Sequence, residues 1–586
     1  MAGIMIAATG SGSGKTMVTC GLLALLKRKG YHPAAFKCGP DYIDGLFHRR
    51  VQGVENGNLD SFFETPAHMR RKLRRSMERH FVVAEGVMGY FDGLGGVSVR
   101  GSSFEIGRFL GLPAILVVDG RGASLSLMAL IQGFLEYDAA VENDNEKKTH
   151  NKSCGDACHD MECGAETEYK MQEGNEEKYR EKKTHRTDSG TGDHAGSSGC
   201  SVNHDKINNN IKGIFFNRMS PMIYNRIKPM VEERFRIPVI GYLPELEFLQ
   251  VGSRHLGLVL PDEIEGIREQ LEQLADRMDE NLEWELLLKI AADAEGWDVS
   301  EEGNKLTSNS GLDNGDNGAE TREGSETGCR MQPAPGAGPR FRLGIAKSAP
   351  PLTFAPPDIP EAGEHVRIGV ARDKAFCFYY GDNLEAMEEA GAQLVYFSPL
   401  HQKELPGGLD GMILGGGYPE NHGGALAANR SMRDSVAAAA ASGMPVLAEC
   451  GGYLYLLDSL EGADGRDYPM AGVLRGHGYR AGKTGRFGYI TLRPNEDLPF
   501  LPEGEEIKGH EFHYWDCRCR ADEFRMMALK PNGSRCWPCM RTEGHVMAGF
   551  PHLYYPSCPE LVQRFADQCV EYGKKQGKDY GKGYEL

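Results

Sequence analysis

Short apolar runs alternate with helix-period stretches along most of this chain. In the first half the runs fall at residues 4–8, 34–37, 81–86, 114–119, 213–217 and 239–243, and helical patterns at 15–29, 124–137, 222–235 and 263–292. The runs are apolar almost throughout instead of alternating, as expected for strands buried on both faces of a parallel sheet. The second half repeats this grammar, with strands at 366–370, 393–397, 411–414 and 445–448 and helices at 382–390, 426–441 and 452–460. After Tyr479 the pattern becomes hairpin-like as far as Phe550, and a helix closes it at 559–572. The expected fold is α/β, with two tandem parallel-sheet domains.

Two stretches break the pattern. Residues 141–210 are polar, rich in Glu, Lys, Asn, His and Gly, and residues 297–363 are Gly/Ser/Asn-rich and then Pro-rich. Neither composition buries enough apolar surface to offset ordering entropy. The first reads as a disordered insertion and the second as a flexible linker, giving domains at 1–296 and 364–586.

Composition narrows the function classes. The chain has 586 residues, and 66 basic against 83 acidic side chains give a net charge of −17. So acidic a chain is a poor nucleic-acid binder, although clustered basic residues in a cleft can still hold an anionic small molecule. No apolar run approaches the length of a membrane span, and the N-terminus lacks a basic leader, so a cytoplasmic location without membrane association is expected. The 15 cysteines are irregularly spaced and read as reduced thiols.

Candidate chemistry lies at strand ends. The run 4–8 leads into Thr9-Gly10-Ser11-Gly12-Ser13-Gly14-Lys15-Thr16 and then a helix. A glycine-rich strand–helix turn aims backbone N–H groups at a phosphate, Lys15 reaches the β- and γ-phosphates, and Thr16 is placed to ligate Mg²⁺. The first glycine of the usual motif is Thr9 here, and Gly10 and Ser11 stand where partition-type ATPases carry a lysine. Asp41, Asp44, Glu85 and Asp92 follow at other strand ends, where acidic oxygens can hold Mg²⁺.

In the second half, run 445–448 passes through Glu449 into Cys450-Gly451-Gly452 and a helix. This is a nucleophile elbow in a cysteine version, with the thiol at a sharp turn and a helix N-terminus beside it. N–H groups at Gly451 and in Gly415-Gly416-Gly417 are candidate oxyanion donors. The thiol needs a base. His552, after a strand, is best placed, with His510, His513 and His545 as competitors.

The phosphate loop, Gly39-Pro40-Asp41-Tyr42-Ile43-Asp44, Gly415-Gly416-Gly417-Tyr418-Pro419-Glu420 and Ala448-Glu449-Cys450-Gly451-Gly452 occur in this order. Together with Gly241-Tyr242-Leu243-Pro244, Arg254-His255-Leu256-Gly257-Leu258, Ala371-Arg372-Asp373-Lys374-Ala375-Phe376 and Gly509-His510-Glu511-Phe512-His513-Tyr514, they resemble the cobyrinate a,c-diamide synthase family. The resemblance implies an N-terminal P-loop domain like dethiobiotin synthetase and a C-terminal, flavodoxin-like class I glutamine amidotransferase domain. It implies an amide ligase that takes cobyrinate, L-glutamine and ATP with Mg²⁺, in cobalamin biosynthesis. By matching position, Gly10, Gly12, Gly14, Lys15, Thr16 and Asn217 resemble nucleotide residues, and Thr16 and Glu85 Mg²⁺ residues. Lys37, Asp41, Tyr42, Asp44 and Asp92 resemble residues that position substrate and intermediate. Cys450 and His552 resemble the glutaminase pair, with Gly417 and Gly451 as oxyanion donors. The usual triad ends His-x-Glu, whereas this chain reads His552-Leu553-Tyr554, so His552 must be oriented by another group. The same chemistry on nickel-sirohydrochlorin or hydrogenobyrinate is an alternative. A partition-type ATPase switch carrying a non-catalytic amidotransferase-like module is another.

Two cysteine groups stand apart from this reading. Cys154, Cys158, Cys163 and Cys200 match no zinc template, while Cys517-x-Cys519 and Cys536-x2-Cys539 have spacing that two hairpin turns can bring together as a four-thiolate zinc site.

Overall fold

The computed structural model describes residues 2–41, 43–137, 210–246, 266–294, 365–482 and 486–580. Tyr42, the segment 141–210 apart from Asn210, the linker 297–363 and Arg254–Leu258 of the sequence motifs lie outside the described residues. The described parts of Met1–Glu295 and Val366–Gly577 form one compact unit. Among the described residues, no helix is long and apolar enough to cross a membrane.

The first half builds a seven-stranded parallel sheet. Its strands are β1 (Ala2–Ala8), β2 (Pro33–Cys38), β3 (Glu55–Leu59), β4 (Phe81–Glu85), β5 (Ala114–Asp119), β6 (Ile211–Asn217) and β7 (Val239–Leu243), in the order β3-β2-β4-β1-β5-β6-β7. Helices α1 (Lys15–Arg28), α2 (Ile43–Gln52), α3 (Pro66–Met77), α4 (Ser103–Leu110), α5 (Ser126–Glu136), α6 (Pro221–Phe235), α7 (Ile267–Asn281) and α8 (Trp284–Ala292) join and flank the strands. Their starts follow local rules: Thr65 caps α3 and Ser220 caps α6, each with a proline in the first turn. Strand β1 is central, and the chain runs to opposite sides of it through β4 and β5. Ligands of open parallel sheets bind at such a switch point, beyond the strands' carboxyl ends.

The second half contains β8 (Val366–Ala371), α9 (Gly381–Glu389), β9 (Ala392–Phe397), β10 (Gly411–Leu414), α10 (Gly423–Ala428), α11 (Arg430–Ala441), β11 (Val446–Glu449) and α12 (Gly451–Leu456). It continues through β12 (Leu457–Glu461), β13 (Asp467–Pro469), β14 (Leu474–Arg480), β15 (Phe487–Pro494), β16 (Ile507–Phe512) and β17 (Trp515–Arg518). Last come β18 (Phe524–Leu529), β19 (Cys536–Glu543), β20 (Val546–Gly549), β21 (His552–Leu553) and α13 (Pro559–Lys575). One ten-stranded sheet runs β21-β16-β15-β18-β19-β20-β11-β10-β8-β9, and β13-β12-β14-β17 form a smaller sheet. The large sheet is parallel from β9 to β20 and antiparallel beyond, so the hairpin-like text extends the parallel sheet. Strands β10, β11 and β20 are parallel neighbours, so their carboxyl ends open on one edge.

Several expected elements differ. The helix at 263–292 is two helices, because Leu282 turns extended and bridges Gly241. That at 426–441 breaks at Asn429, whose amide is drawn to the Pro399 and Gln402 carbonyls. The helix at 452–460 stops after Leu456, and the chain continues as β12.

Candidate active sites

At the switch point, β1 passes into the phosphate loop and α1. Gly14 has φ +96°, and a Cβ there would lie 2.1 Å from the Asn217 amide nitrogen, so only glycine fits. Asn217, at the end of β6, donates to the Ser13 carbonyl at 2.9 Å, and its own oxygen is buried with no hydrogen-bond partner. Arg218 follows, donating to the Gly12 carbonyl at 2.6 Å while paired with Asp119. Gly10 and Gly12 leave the rim of the loop open. A cavity of about 690 Å³, lined by Gly120 to Ser124, Arg218 and Pro244, opens beside these residues.

Lys15 turns back over the loop toward the carbonyls of Gly10 and Met88. Burial, with Lys37 nearby, lowers its ammonium to about 8, and an arriving phosphate would restore the charge. The Thr16 hydroxyl donates to Glu85 Oε1 at 2.6 Å, and Lys37 Nζ reaches the same oxygen at 2.8 Å. Burial alone would raise the Glu85 carboxyl, but Lys37 and His48 hold it well below the carboxylate range. Its second oxygen is buried without a hydrogen-bond partner. A hydroxyl beside an ionised carboxylate, whose second oxygen lies 3.8 Å from His48 Nε2, is donor chemistry that Mg²⁺ takes, so these residues fit the ion.

Asp92 Oδ2 accepts from the Gly89 amide at 2.8 Å, closing the loop that also supplies the Met88 carbonyl to Lys15. Asp41 sits where the Asn58 amide ties down the carbonyls of Gly39 and Asp41, each at 3.0 Å. Asp44 lies in the first turn of α2.

The second site lies at the common edge of β10, β11 and β20. Cys450, at the end of β11, has φ 47° and ψ −101°, a strained elbow held by its amide donating to the Gly549 carbonyl at 2.7 Å. Burial foremost, with Glu420 next, pushes its thiol up. A Cβ on Gly451 would come within 2.9 Å of the Gly417 amide nitrogen, and one on Gly416 within 2.2 Å of His552 Cε1. The loop after β10 therefore lies against both the residue after Cys450 and the His552 imidazole. His552 is 2% exposed, opposite His510 in the register of β16 and β21. Burial, with His510 and His513 nearby, lowers it to about 3. Of the competing histidines, His513 is held between Glu511 Oε1, 2.8 Å away, and the Trp515 carbonyl, while His545 contacts Gln568.

The four C-terminal cysteines do not form the zinc site that their spacing allows. Cys517 sits on β17 in the small sheet, whereas Cys536 and Cys539 lie on β19, opposite Leu529 and Met526. The strands pair into two different sheets, and no group of three or more His, Cys, Asp or Glu side chains among the described residues is placed to hold a metal. The insertion cysteines lie outside the described residues.

Sequence reasoning missed a set of buried polar contacts between the halves. Tyr489 on β15 donates to Asp60 Oδ2 at 2.8 Å, and Lys508 donates to the Phe62 carbonyl at 2.7 Å. Lys72 lies 2.8 Å from both Glu64 and Asp382, and Tyr554 donates to Asp382 at 2.7 Å. No local motif marks these residues.

Comparison with known proteins gives two family matches. The CobQ/CobB/MinD/ParA nucleotide binding domain matches residues 4–258, and the CobB/CobQ-like glutamine amidotransferase domain matches residues 367–557. A protein of Listeria monocytogenes serotype 4b (strain F2365) named cobyrinate a,c-diamide synthase is 30% identical over 558 residues, 94% of this chain and 96% of its own. One of the same name from Caldanaerobacter subterraneus subsp. tengcongensis is 29% identical, covering 97% of this chain and 99% of its own. A third, from Salmonella typhimurium, is 28% identical, with 96% of each chain covered.

Proposed function

We propose that this chain, which belongs to the cobyrinate a,c-diamide synthase family, converts the a and c acetate carboxylates of cobyrinate to amides, c first, with ATP and glutamine. It is a glutamine-hydrolysing, ATP-dependent amide ligase. The observation that carries the reading is one compact unit holding a phosphate loop with the Thr16–Glu85 pair and a cysteine elbow faced by Gly417 and His552.

A carboxylate is a poor electrophile, so it must first gain a leaving group. Its oxygen attacks the γ-phosphorus of ATP, the bond to the bridging oxygen breaks, and ADP leaves an acyl phosphate. Lys15 and the loop amides hold the phosphates, catalysis here resting on placed positive charge. Thr16 and Glu85 would hold Mg²⁺, which when bound offsets charge on the β- and γ-phosphates. Asn217 contacts the nucleotide, and Lys37, Asp41, Tyr42, Asp44 and Asp92 position the substrate and intermediate.

At the second site the Cys450 thiol passes its proton to His552 and attacks the glutamine carboxamide, while the amides of Gly417 and Gly451 receive the oxyanion. His552 returns the proton to the leaving nitrogen. Ammonia departs, and water then hydrolyses the thioester to glutamate. Ammonia displaces phosphate from the acyl phosphate and yields the amide.

The test is Cys450→Ala, supplied with glutamine or with concentrated ammonium at alkaline pH. Product masses are followed from cobyrinate, hydrogenobyrinate and nickel-sirohydrochlorin. Glutamine-driven amidation is lost and ammonia-driven amidation of cobyrinate stays. Glutamine use by the variant would remove the elbow from the mechanism, and turnover of only another tetrapyrrole would replace the substrate.

A further inference from the structure

The glutaminase base needs a partner that the usual position does not supply. Two residues after His552 stands Tyr554, whose hydroxyl is spent on Asp382 and whose ring stacks on Phe63 at 4.8 Å. Asp382 is engaged by Lys72 and Tyr554, and Glu511 by His513 and the Trp537 indole at 2.9 Å. Glu449 faces the base itself. It ends β11 immediately before the nucleophile, is 6% exposed, and places Oε2 3.9 Å from His552 Nδ1. Its Oε1 is buried with no hydrogen-bond partner. A buried carboxyl aimed at an imidazole with an unused oxygen is costly unless it has a task.

We propose that Glu449 is the positioning residue of the glutaminase: it accepts Nδ1–H of His552, turns Nε2 toward the Cys450 thiol, and balances the imidazolium when it forms. The inference rests on the glutaminase reading above. It moves the third member of the triad from two residues beyond the histidine to the residue before the cysteine. Both arrangements reach the same nitrogen, because β11 and β20 are parallel neighbours and Glu449 pairs with Gly549, three residues before His552. At 3.9 Å the contact is an ion-pair approach that must shorten by about 1 Å to become a hydrogen bond. Such tightening is ordinary when substrate fills a catalytic site. Burial pushes the Glu449 carboxyl up to about 8, against the Tyr555 hydroxyl and Leu553 amide that favour its ionised form. The pair therefore acts once Glu449 has lost its proton, and the assay belongs at about pH 9. The titratable groups facing the pair are Cys450, Tyr379, Tyr380, Tyr555, His510 and His513.

The experiment compares the full-length parent, Glu449→Gln and Cys450→Ala in glutamine hydrolysis and in ammonia-driven amidation. Glutamine turnover of Glu449→Gln should fall by about 100-fold or more, as when a triad carboxylate becomes an amide that favours the wrong imidazole tautomer. KM for glutamine should stay within about threefold, because Glu449 acts through His552, and ammonia-driven amidation should persist. Glutamine turnover within threefold of the parent overturns the inference. So does a raised KM with kcat unchanged, which would place Glu449 on glutamine itself. If Glu449→Gln does not fold, Glu449→Asp keeps the charge but sets it back by a methylene, and the same kcat-against-KM split decides. Glutamine hydrolysis by Cys450→Ala would instead overturn the underlying glutaminase assignment, whatever Glu449→Gln does.

Discussion

Replacing Cys450 by glycine should leave a more stable protein than replacing it by alanine, although both lack the thiol. The elbow has φ 47° and ψ −101°, outside the left-handed well that an L-residue tolerates. Holding a non-glycine residue in such a region costs about 1–3 kcal/mol. Alanine keeps the Cβ and therefore the strain. Glycine releases it but has more backbone freedom to lose on folding, a penalty of about 0.5–1 kcal/mol. The net advantage of Cys450→Gly over Cys450→Ala is roughly 0.5–2 kcal/mol, with the Cys450 amide bond to Gly549 kept in both. Urea unfolding followed by indole fluorescence reports it, since Trp515 and Trp537 lie in this half. At a slope of about 3 kcal/mol per molar urea, the glycine variant's midpoint should sit roughly 0.2–0.7 M higher. Equal midpoints, or alanine the more stable, would refute the claim that the elbow stores strain. Each protein should retain ammonia-driven amidation, so the comparison also checks that the strain at the elbow is local.

Lys15→Ala should lower amidation by about 10²–10³-fold with glutamine and with ammonia, because placed charge on the phosphates serves both routes; activity near that of the parent with either nitrogen source would remove Lys15 from phosphate binding. Glu85→Gln should raise the Mg²⁺ needed for half-maximal activity roughly tenfold, about 1.4 kcal/mol. It should also lower stability by about 3 kcal/mol or more by taking the carboxylate from buried Lys37; a Mg²⁺ titration overlaying the parent's would leave only the structural role. Tyr489→Phe should cost about 1.5–3 kcal/mol of stability by removing a donor from buried Asp60. Burial raises Asp60 to about 7, so its ionisation detracts from stability progressively as pH rises from the ordinary carboxyl range to about 7. Tyr489 favours the ionised form, so the loss in Tyr489→Phe should be largest above pH 7 and shrink well below it; urea midpoints at about pH 6 and 9 that differ equally from the parent would contradict this.

What could be read from the chain beforehand follows from where its information lies. The phosphate loop and the cysteine elbow are legible because each follows an apolar run directly, and a strand buried on both faces announces both itself and its carboxyl end. Strand β3 is not legible: Glu55-Asn56-Gly57-Asn58-Leu59 has turn composition and becomes a strand only by pairing with β2. Asn58 there is a tertiary residue, holding the Gly39 and Asp41 carbonyls of a loop 17 and more positions away in sequence. The cysteine spacing misleads for the converse reason. Cys-x-Cys and Cys-x2-Cys describe local turns, and strand pairing, which spacing does not encode, puts β17 and β19 in different sheets.

The same argument explains why the link between the two halves was invisible and why it matters. From the amidotransferase half, Tyr489 reaches Asp60, Lys508 reaches the Phe62 carbonyl, and Tyr380 reaches the Pro40 carbonyl at 3.4 Å. All three land on loops that follow β2 and β3, the loops flanking Asp41. Phe63 stacks on Tyr554 within an aromatic cluster that also holds Tyr380, and Tyr554 is two residues from His552. Packed rings and hydrogen bonds to buried groups thus run without a break from the imidazole strand to the loops around Asp41. The tyrosine that stands in the place of the usual triad carboxylate is therefore not an idle replacement. Its hydroxyl, on Asp382, and its ring, on Phe63, join the strand that carries His552 to the synthetase half.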